Sequence, residues 1–487
     1  MEVGRGLGTA GRAGAPLRGL EGQGFYRARP AGSRPGRGFP LPWPASGPVP
    51  DGRLRTPAPR LQWSPVTRPA ASSAKPADAP GEPPRGTDHA RADGPVDGPG
   101  TGAILVDREL VARLGTEVRP GPDGAPFTDA QVQPASLDLR LGSTALRMRA
   151  GFLPSAPTDG SPALTPVSVD ERIAQLSTTT LDLTGEGAVL ERGVVYLVPL
   201  QEELDLAPDT RARFNPRSST GRCDIFTRVL CESHPRFDEA PAGFRGRLWL
   251  EVSPLSFPVR LRRGDRLAQV RLQRGSAALT ADELRAVHRE TPLAFDAEGP
   301  VPEERLAFHE DGSLALSLGL AGRDPAGWRA SLFTDVVDFG AEGRHATRDF
   351  FQPVHAERGT CILEPGRFYI FASREALRVP PHLAAEMLPV DPGLGELRNN
   401  YAGFFDSGFG WREDDAGRPT AGGTPAVLEV RAHDMPFLVE DGQVFFRLRY
   451  FRASGRPDAL YGRGRAGRSY LGQDLTLARA FVPPPRP

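Results

Sequence analysis

Lysine is almost missing from this chain: Lys75 is the only one in 487 residues. Arginine must therefore supply every fixed side-chain cation, and its planar fork of donors is not interchangeable with a flexible ammonium. Cysteine is scarce too, with only Cys223, Cys231 and Cys361. Three thiols make a poor disulfide framework and fit a reducing cytoplasm. No Cys-x-x-Cys pair occurs anywhere, which removes the common cysteine half of a zinc site. No apolar run approaches the roughly 18 residues that mark a candidate bilayer span. Net charge is also lacking, with 60 basic residues against 60 acidic ones. There is no global electrostatic case for nucleic acid or an acidic membrane as a partner.

Residues 1–100 consist mainly of Gly, Pro, Ala and Arg with few large apolar side chains. Such a segment buries too little surface to offset its ordering entropy, so it is expected to be a disordered tail. It has no apolar core of a signal peptide. An Arg-rich transit peptide and an upstream start that adds a functionless tail are both open readings.

Order is expected to begin in "AILVDRELVARLG" (103–115), where Ile104, Leu105, Leu110, Val111 and Leu114 give a short helix-like spacing. In "QPASLDLRLG" (133–142), Leu137, Leu139 and Leu141 alternate with Asp138 and Arg140, predicting a half-buried strand that ends at Gly142. "GVVYLVPL" and "RLWLEVSPLSFPVRL" are strand-like as well. Many short strands punctuated by Gly and Pro, with few long helical patterns, predict a mostly β sandwich or barrel.

The chain repeats itself. "LERGVVYLVPLQEELDLAPDTRARFNP" from Leu190 aligns without gaps with "LEPGRFYIFASREALRVPPHLAAEMLP" from Leu363, nine of 27 positions being identical. A second pair follows in the same order: "LEVSPLSFPVRLRRGDRLAQVRL" from Leu250 and "LEVRAHDMPFLVEDGQVFFRLRY" from Leu428. Two β domains of one type are expected, over 101–300 and 301–487. The period is far too long for a solenoid.

The copies diverge after their shared proline. The first reads "RSSTGR" (217–222) and the second "VDPGLGELR". Two arginines, three hydroxyls and a glycine in six positions form either a polar turn or an anion-binding loop. Because duplication would preserve a generic turn in both copies, the asymmetry favours a binding site kept once.

Together "RSSTGR", "GFRGRLWLE" and "QPASLDLRLG" resemble the dCTP deaminases of the trimeric dUTPase-like superfamily, in a duplicated bacterial form. The resemblance spans roughly 103–475. It includes a hairpin of the pattern Ala-x-x-x-Asp-x-Gly, present as Ala402, Asp406 and Gly408, and widened around Asp238 in the first copy. A strand ending in glutamate occurs twice, at Glu251 and Glu429. A tail with Tyr461, Tyr470 and Gln473 closes the pattern, though the lysine frequent before its second tyrosine is Ser469 here, with Arg468 beside it. The resemblance implies two tandem dUTPase-like distorted β-barrel or jelly-roll domains and hydrolytic deamination of dCTP to dUTP and ammonia, feeding dUMP and dTTP synthesis. It implies Glu429 or Glu251 as the proton-transfer group, with Ser218 and Arg222 orienting water and base. Arg217, Ser219, Thr220, Gly221, Ala402, Asp406, Val427, Leu428, Tyr461, Arg468, Tyr470 and Gln473 would bind substrate. It further implies dTTP as feedback inhibitor and a homo-oligomer, trimer or pseudo-hexamer.

A carboxylate can carry all the proton shuttling if a dry pocket raises its pKa. Zinc deaminases instead use a His-x-Glu with a Pro-Cys-x-x-Cys. Here "HRE" (288–290) and "HAE" (355–357) have no such partner, so no metal site is expected and Mg²⁺ should arrive on the triphosphate. Glu429 is favoured over Glu251 because its hairpin keeps the family spacing, with 217–222 reaching across from the first copy. The alternatives are a dUTPase or a bifunctional enzyme that proceeds to dUMP, and a non-catalytic nucleotide-binding protein. The tail could equally be a frayed terminus instead of a lid.

Overall fold

Both repeats open with the same turn. Gly193 and Gly366 take φ of 76° and 66°, a region that L side chains rarely enter. Beside each, a glutamate backbone N–H donates to a tyrosine hydroxyl: Glu191 to Tyr196 at 3.1 Å and Glu364 to Tyr369 at 2.9 Å. Each tyrosine then begins a long strand, Val195–Asp205 in the first copy and Phe368–Leu377 in the second. The partner strands pair with them in the same register, Leu250 opposite Val198 and Leu428 opposite Phe371. The identities in the aligned segments therefore mark equivalent places in two like folds.

The computed structural model describes residues 102–154, 167–388, 397–399, 403–432, 434–463, 470 and 474–483. The expected tail over 1–100 lies outside them. The described chain is mostly β, and its longest helix, Ala281–Glu290, is capped by Thr280 and Glu283 in a reciprocal box. No helix among the described residues is long and apolar enough to cross a membrane.

In the first copy, Ala268–Arg274 pairs with Thr210–Pro216 and with Leu137–Leu139. A second sheet places Arg245–Pro254 between Val195–Asp205 and Ile225–Cys231. One core lies between these sheets. A second core fills the other copy, and it takes Leu279, Leu284, Leu293 and Ala294, upstream of the boundary expected at residue 300. The chain end returns to the first core: Leu477 and Phe481 are buried there, with Phe481 packed edge-on to Phe351 at 5.1 Å between ring centroids.

Two local expectations change. Residues 103–115 are not one helix, since Ala103–Ile104 is a strand and only Asp107–Arg113 is helical. Backbone pairing of Ala103 and Ile104 with Arg274 and Gln273 takes the first apolar residues into the sheet. The Leu137–Leu139 strand is not half-buried, because Asp138 and Arg140 are enclosed as well. Each has ionic partners inside: Arg140 Nε donates to Glu202 at 2.6 Å, and Asp138 lies 3.3 Å from both Arg217 and Arg266.

Candidate active site

The "RSSTGR" stretch is not an open loop. Ser218–Arg222 forms a single helical turn with Arg217 extended at its N-cap. The amides of Thr220 and Gly221 donate to the Arg217 carbonyl at 2.9 and 3.1 Å, and Asp224 ends the segment at φ 53°. The turn divides the six residues by role. Thr220 is fully buried and its hydroxyl donates to the Leu267 carbonyl at 2.8 Å. Gly221 is buried inside the turn. Neither is among the residues that line the hollow described next. Arg217, Ser218 and Arg222 face a hollow between the copies.

Across that hollow lies Glu429. It sits on Thr424–Ala432, which pairs with Phe368–Leu377 and Leu397–Asn399, with 4 % of its surface exposed. Burial pushes its pKa up to about 8, opposed by the Arg222 charge. Arg222 Nε lies 4.0 Å from Glu429 Oε1, is buried, and has no hydrogen-bond partner among the described residues. The Arg222 fork is held elsewhere: Nη1 donates to the Thr476 carbonyl at 2.7 Å, and the plane lies 3.8 Å over the Tyr470 ring. Strand alternation sets what accompanies the carboxyl. Val427 and Glu429 line the hollow, while Leu428 points the other way and packs in the second core. Leu428 was expected to touch substrate, and its side chain does not face the hollow.

Glu251, the equivalent residue of the first copy, is sealed. Arg228 Nε and Nη2 donate to its Oε1 at 3.0 and 2.6 Å, and the Arg228 plane rests 3.8 Å over Phe237. Gly151 abuts the carboxylate so closely that a Cβ there would meet Oε2 at 2.3 Å. The first copy's hairpin aspartate, Asp238, is half-buried at φ 61° and accepts the Val229 amide at 2.7 Å. Nothing from 217–222 reaches this carboxyl pair.

The second copy's hairpin reaches the first copy instead. Asp406 accepts from Ser136 at 2.9 Å and from Arg271 at 2.9 Å. Arg271 is fully enclosed and also donates to the Ala385 carbonyl at 3.1 Å. Gln269 bridges onward to Asp138 at 3.0 Å, whose pKa burial pushes up against the pull of Arg217 and Arg266. Asp406, Arg217, Ser219 and Gln269 line an outer hollow that shares Phe404, Tyr461 and Tyr470 with the inner one. The Tyr470 and Ser219 hydroxyls are 2.9 Å apart, so the tail closes against the first copy. Ala402, Arg468 and Gln473 lie outside the described residues.

Sequence reading did not single out Ser136, Gln269, Arg271 or Arg266. Their signal was present, since "QPASLDLRLG" carries Ser136 and Asp138. An alternating Leu pattern reads as a surface strand, however, and only the partner residues show that its polar face is enclosed. The two His-x-Glu stretches do other work. His288 accepts the Leu293 amide at Nδ1 (3.2 Å) and donates from Nε2 to the Val301 carbonyl (2.9 Å). His355 pairs with Asp324 on the surface.

Comparison with known proteins adds family evidence. Two family models match in tandem: the 2'-deoxycytidine 5'-triphosphate deaminase N-terminal domain over residues 113–276, and the C-terminal domain of the same family over 280–481. A dCTP deaminase from Halorubrum lacusprofundi is 32% identical over 171 residues, covering 34% of this chain and 75% of that protein. A "dCTP deaminase, dUMP-forming" from Rhodococcus opacus is 32% identical over 176 residues, covering 36% of this chain and 82% of that protein. The crystal structure of 2'-deoxycytidine 5'-triphosphate deaminase from Agrobacterium tumefaciens matches with a TM-score of 0.63 and 42% identity, over 72% of this chain and 99% of that one.

Proposed function

The chain belongs to the dCTP deaminase family, and from that premise we propose that it hydrolyses dCTP to dUTP and ammonia with Glu429 as the proton-transfer group. The carrying observation is a buried carboxyl lining the hollow, its pKa raised to about 8 by burial and faced at 4.0 Å by Arg222. A group with a pKa near the working pH can both take and return a proton. The separation is too long for a direct hydrogen bond, so carboxylate and guanidinium can both reach one shared water.

In the proposed reaction Glu429 takes a proton from water as the oxygen bonds to C4 of cytosine. The C4=N3 electron pair moves to N3, which Glu429 protonates with the proton taken from water. Glu429 then takes the C4 hydroxyl proton and delivers it to the exocyclic amine, the C4–N bond breaks as the C4 carbonyl forms, and ammonia leaves. Arg222 holds the ionised carboxylate, and Ser218 helps to orient the base. Arg217 and Ser219 face the triphosphate, Asp406 the sugar, and Tyr461 and Tyr470 close the outer side. Mg²⁺ enters on the triphosphate and zinc takes no part, so activity should survive a zinc chelator when Mg²⁺ is in excess. Loss of activity that added zinc alone restores counts against this mechanism.

The finer point is the product. Some relatives carry the name "dCTP deaminase, dUMP-forming", and a bifunctional enzyme would release dUMP. The test is to incubate the full chain with dCTP and to resolve dUTP, dUMP and ammonia. Ammonia with dUTP in equal amounts is expected. Ammonia with dUMP would assign the bifunctional reaction, and no ammonia would overturn deamination.

A further inference from the structure

Arg479 stands beside the site, outside the short motifs that carry the sequence resemblance. It lines the outer hollow together with Arg217 and Ser219, and all three also border a second hollow that contains Arg266. Its guanidinium makes no hydrogen bond among the described residues. Its nearest carboxylate, Glu342, is 3.8 Å away and largely exposed, a loose pairing in high dielectric. Five N–H donors thus face the two hollows with little to hold them.

The backbone under Arg479 is fixed even though the side chain is loosely held. The Arg479 carbonyl accepts the Gly343 amide at 2.8 Å, and the Ala480 carbonyl accepts the amides of Arg344 and His345. Phe481 then anchors the segment in the first core. The Arg479 guanidinium also lies 5.5 Å from the Tyr470 ring, over which the Arg222 plane rests at 3.8 Å. Arg217 and Arg266 are partly neutralised by the buried Asp138 between them. Asp265, the other acid bordering the second hollow, accepts the Arg262 amide at 2.8 Å. Arg479 is the cation of the group least committed within the protein.

We propose that Arg479, with Arg266 beside it, binds the outer phosphates of the substrate and sets a preference for nucleoside triphosphates over monophosphates. In a chain whose single lysine lies in the N-terminal tail, a bidentate arginine on an anchored backbone performs the phosphate recognition that a lysine point charge would otherwise supply. The proposal rests on reading the hollow as a nucleotide site.

The test measures binding of inorganic tripolyphosphate, dCTP and dCMP by calorimetry to full-length chains carrying Glu429→Gln, which prevents turnover. Adding Arg479→Ala should weaken tripolyphosphate and dCTP by about tenfold or more, the scale of one lost charge-assisted bond, and leave dCMP binding little changed. Arg479→Lys should recover only part of the loss. Arg344→Ala removes a neighbouring exposed cation and should move none of the three. Equal tripolyphosphate affinity with and without Arg479, or no tripolyphosphate binding in either, overturns the proposal. Matching melting curves for the variants separate lost contact from lost fold. Failure of the wild-type chain to release ammonia from dCTP would instead overturn the functional reading, and the tripolyphosphate result would still judge Arg479.

Discussion

Arg222 belongs to the first copy and Glu429 to the second, yet their side chains face each other at 4.0 Å in a buried hollow. The equivalent glutamate, Glu251, faces Arg228 of its own copy at 2.6 Å. Duplication has produced two carboxylates on equivalent strands, one bound to a guanidinium and one kept near a guanidinium without a hydrogen bond. Glu429→Gln preserves shape and removes the base. It should abolish ammonia release while dCTP still binds, as measured by calorimetry. Glu251→Gln should retain turnover and lower the melting temperature, because Arg228 loses its charged partner. Turnover lost in Glu251→Gln and kept in Glu429→Gln would place the reaction in the first copy.

Arg222 makes a second, independent case. Its Nη1 is anchored on Thr476 and its plane on Tyr470, so removal affects both the tail and the carboxyl. Arg222→Ala should lower kcat/KM for dCTP by the equivalent of about 1.5–3 kcal/mol for the charged interaction, or more where tail order is also lost. Arg222→Lys should restore little, since an ammonium cannot stack on Tyr470 and reach Thr476 together. Wild-type kcat/KM in either variant would remove Arg222 from the reaction.

The fold was legible because its signals are local. Left-handed glycines at 193 and 366 and alternating strands repeat visibly along the chain. The pairing of 217–222 with Glu429 was legible for a different reason: the "RSSTGR" stretch is kept in one copy and the unwidened hairpin in the other. What stayed hidden depends on contacts between segments far apart in the chain. Asp138 looks like the outward residue of a surface strand until Arg217 and Arg266 enclose it. Arg271 is one arginine among many until its partner Asp406 arrives from the far copy. The Thr220 and Leu428 side chains turn inward for a local reason, a hydroxyl held on the Leu267 carbonyl and a strand face packed in the second core.

The Glu429 proton also predicts a pH dependence. Its folded pKa is raised to about 8 from an ordinary 4.5, so between those values the folded state binds a proton that the unfolded state has released. Stability from this group is complete below about pH 4.5, declines as pH rises, and is lost above about pH 8. Wild type minus Glu429→Gln should therefore show a difference in melting temperature that shifts against the wild type from pH 5 to pH 8. Activity runs the other way. The base form accumulates as pH rises, so kcat/KM should climb with a midpoint near pH 8 and level off above it. A flat profile from pH 6 to 8.5 would mean that Glu429 does not titrate in the rate-limiting step.

The contact between Arg271 and Asp406 joins the copies and sets up the last prediction. Both residues are buried, 2.9 Å apart, and further bonded to Ala385 and Ser136. Removing one member of a buried pair leaves the other charge uncompensated, which costs about 3–5 kcal/mol. Asp406→Ala should therefore destabilise strongly, as read from denaturant midpoints. Asp406→Asn keeps an acceptor for Arg271 and for Ser136 and should cost less. If Asp406 also contacts the sugar, Asp406→Asn should raise KM for dCTP out of proportion to its effect on stability. Arg271→Met, which fills similar volume without reaching the hollow, should lower stability with a smaller effect on KM. Equal KM effects in Asp406→Asn and Arg271→Met would show that the pair acts only by holding the hairpin in place, with no direct contact between Asp406 and the nucleotide.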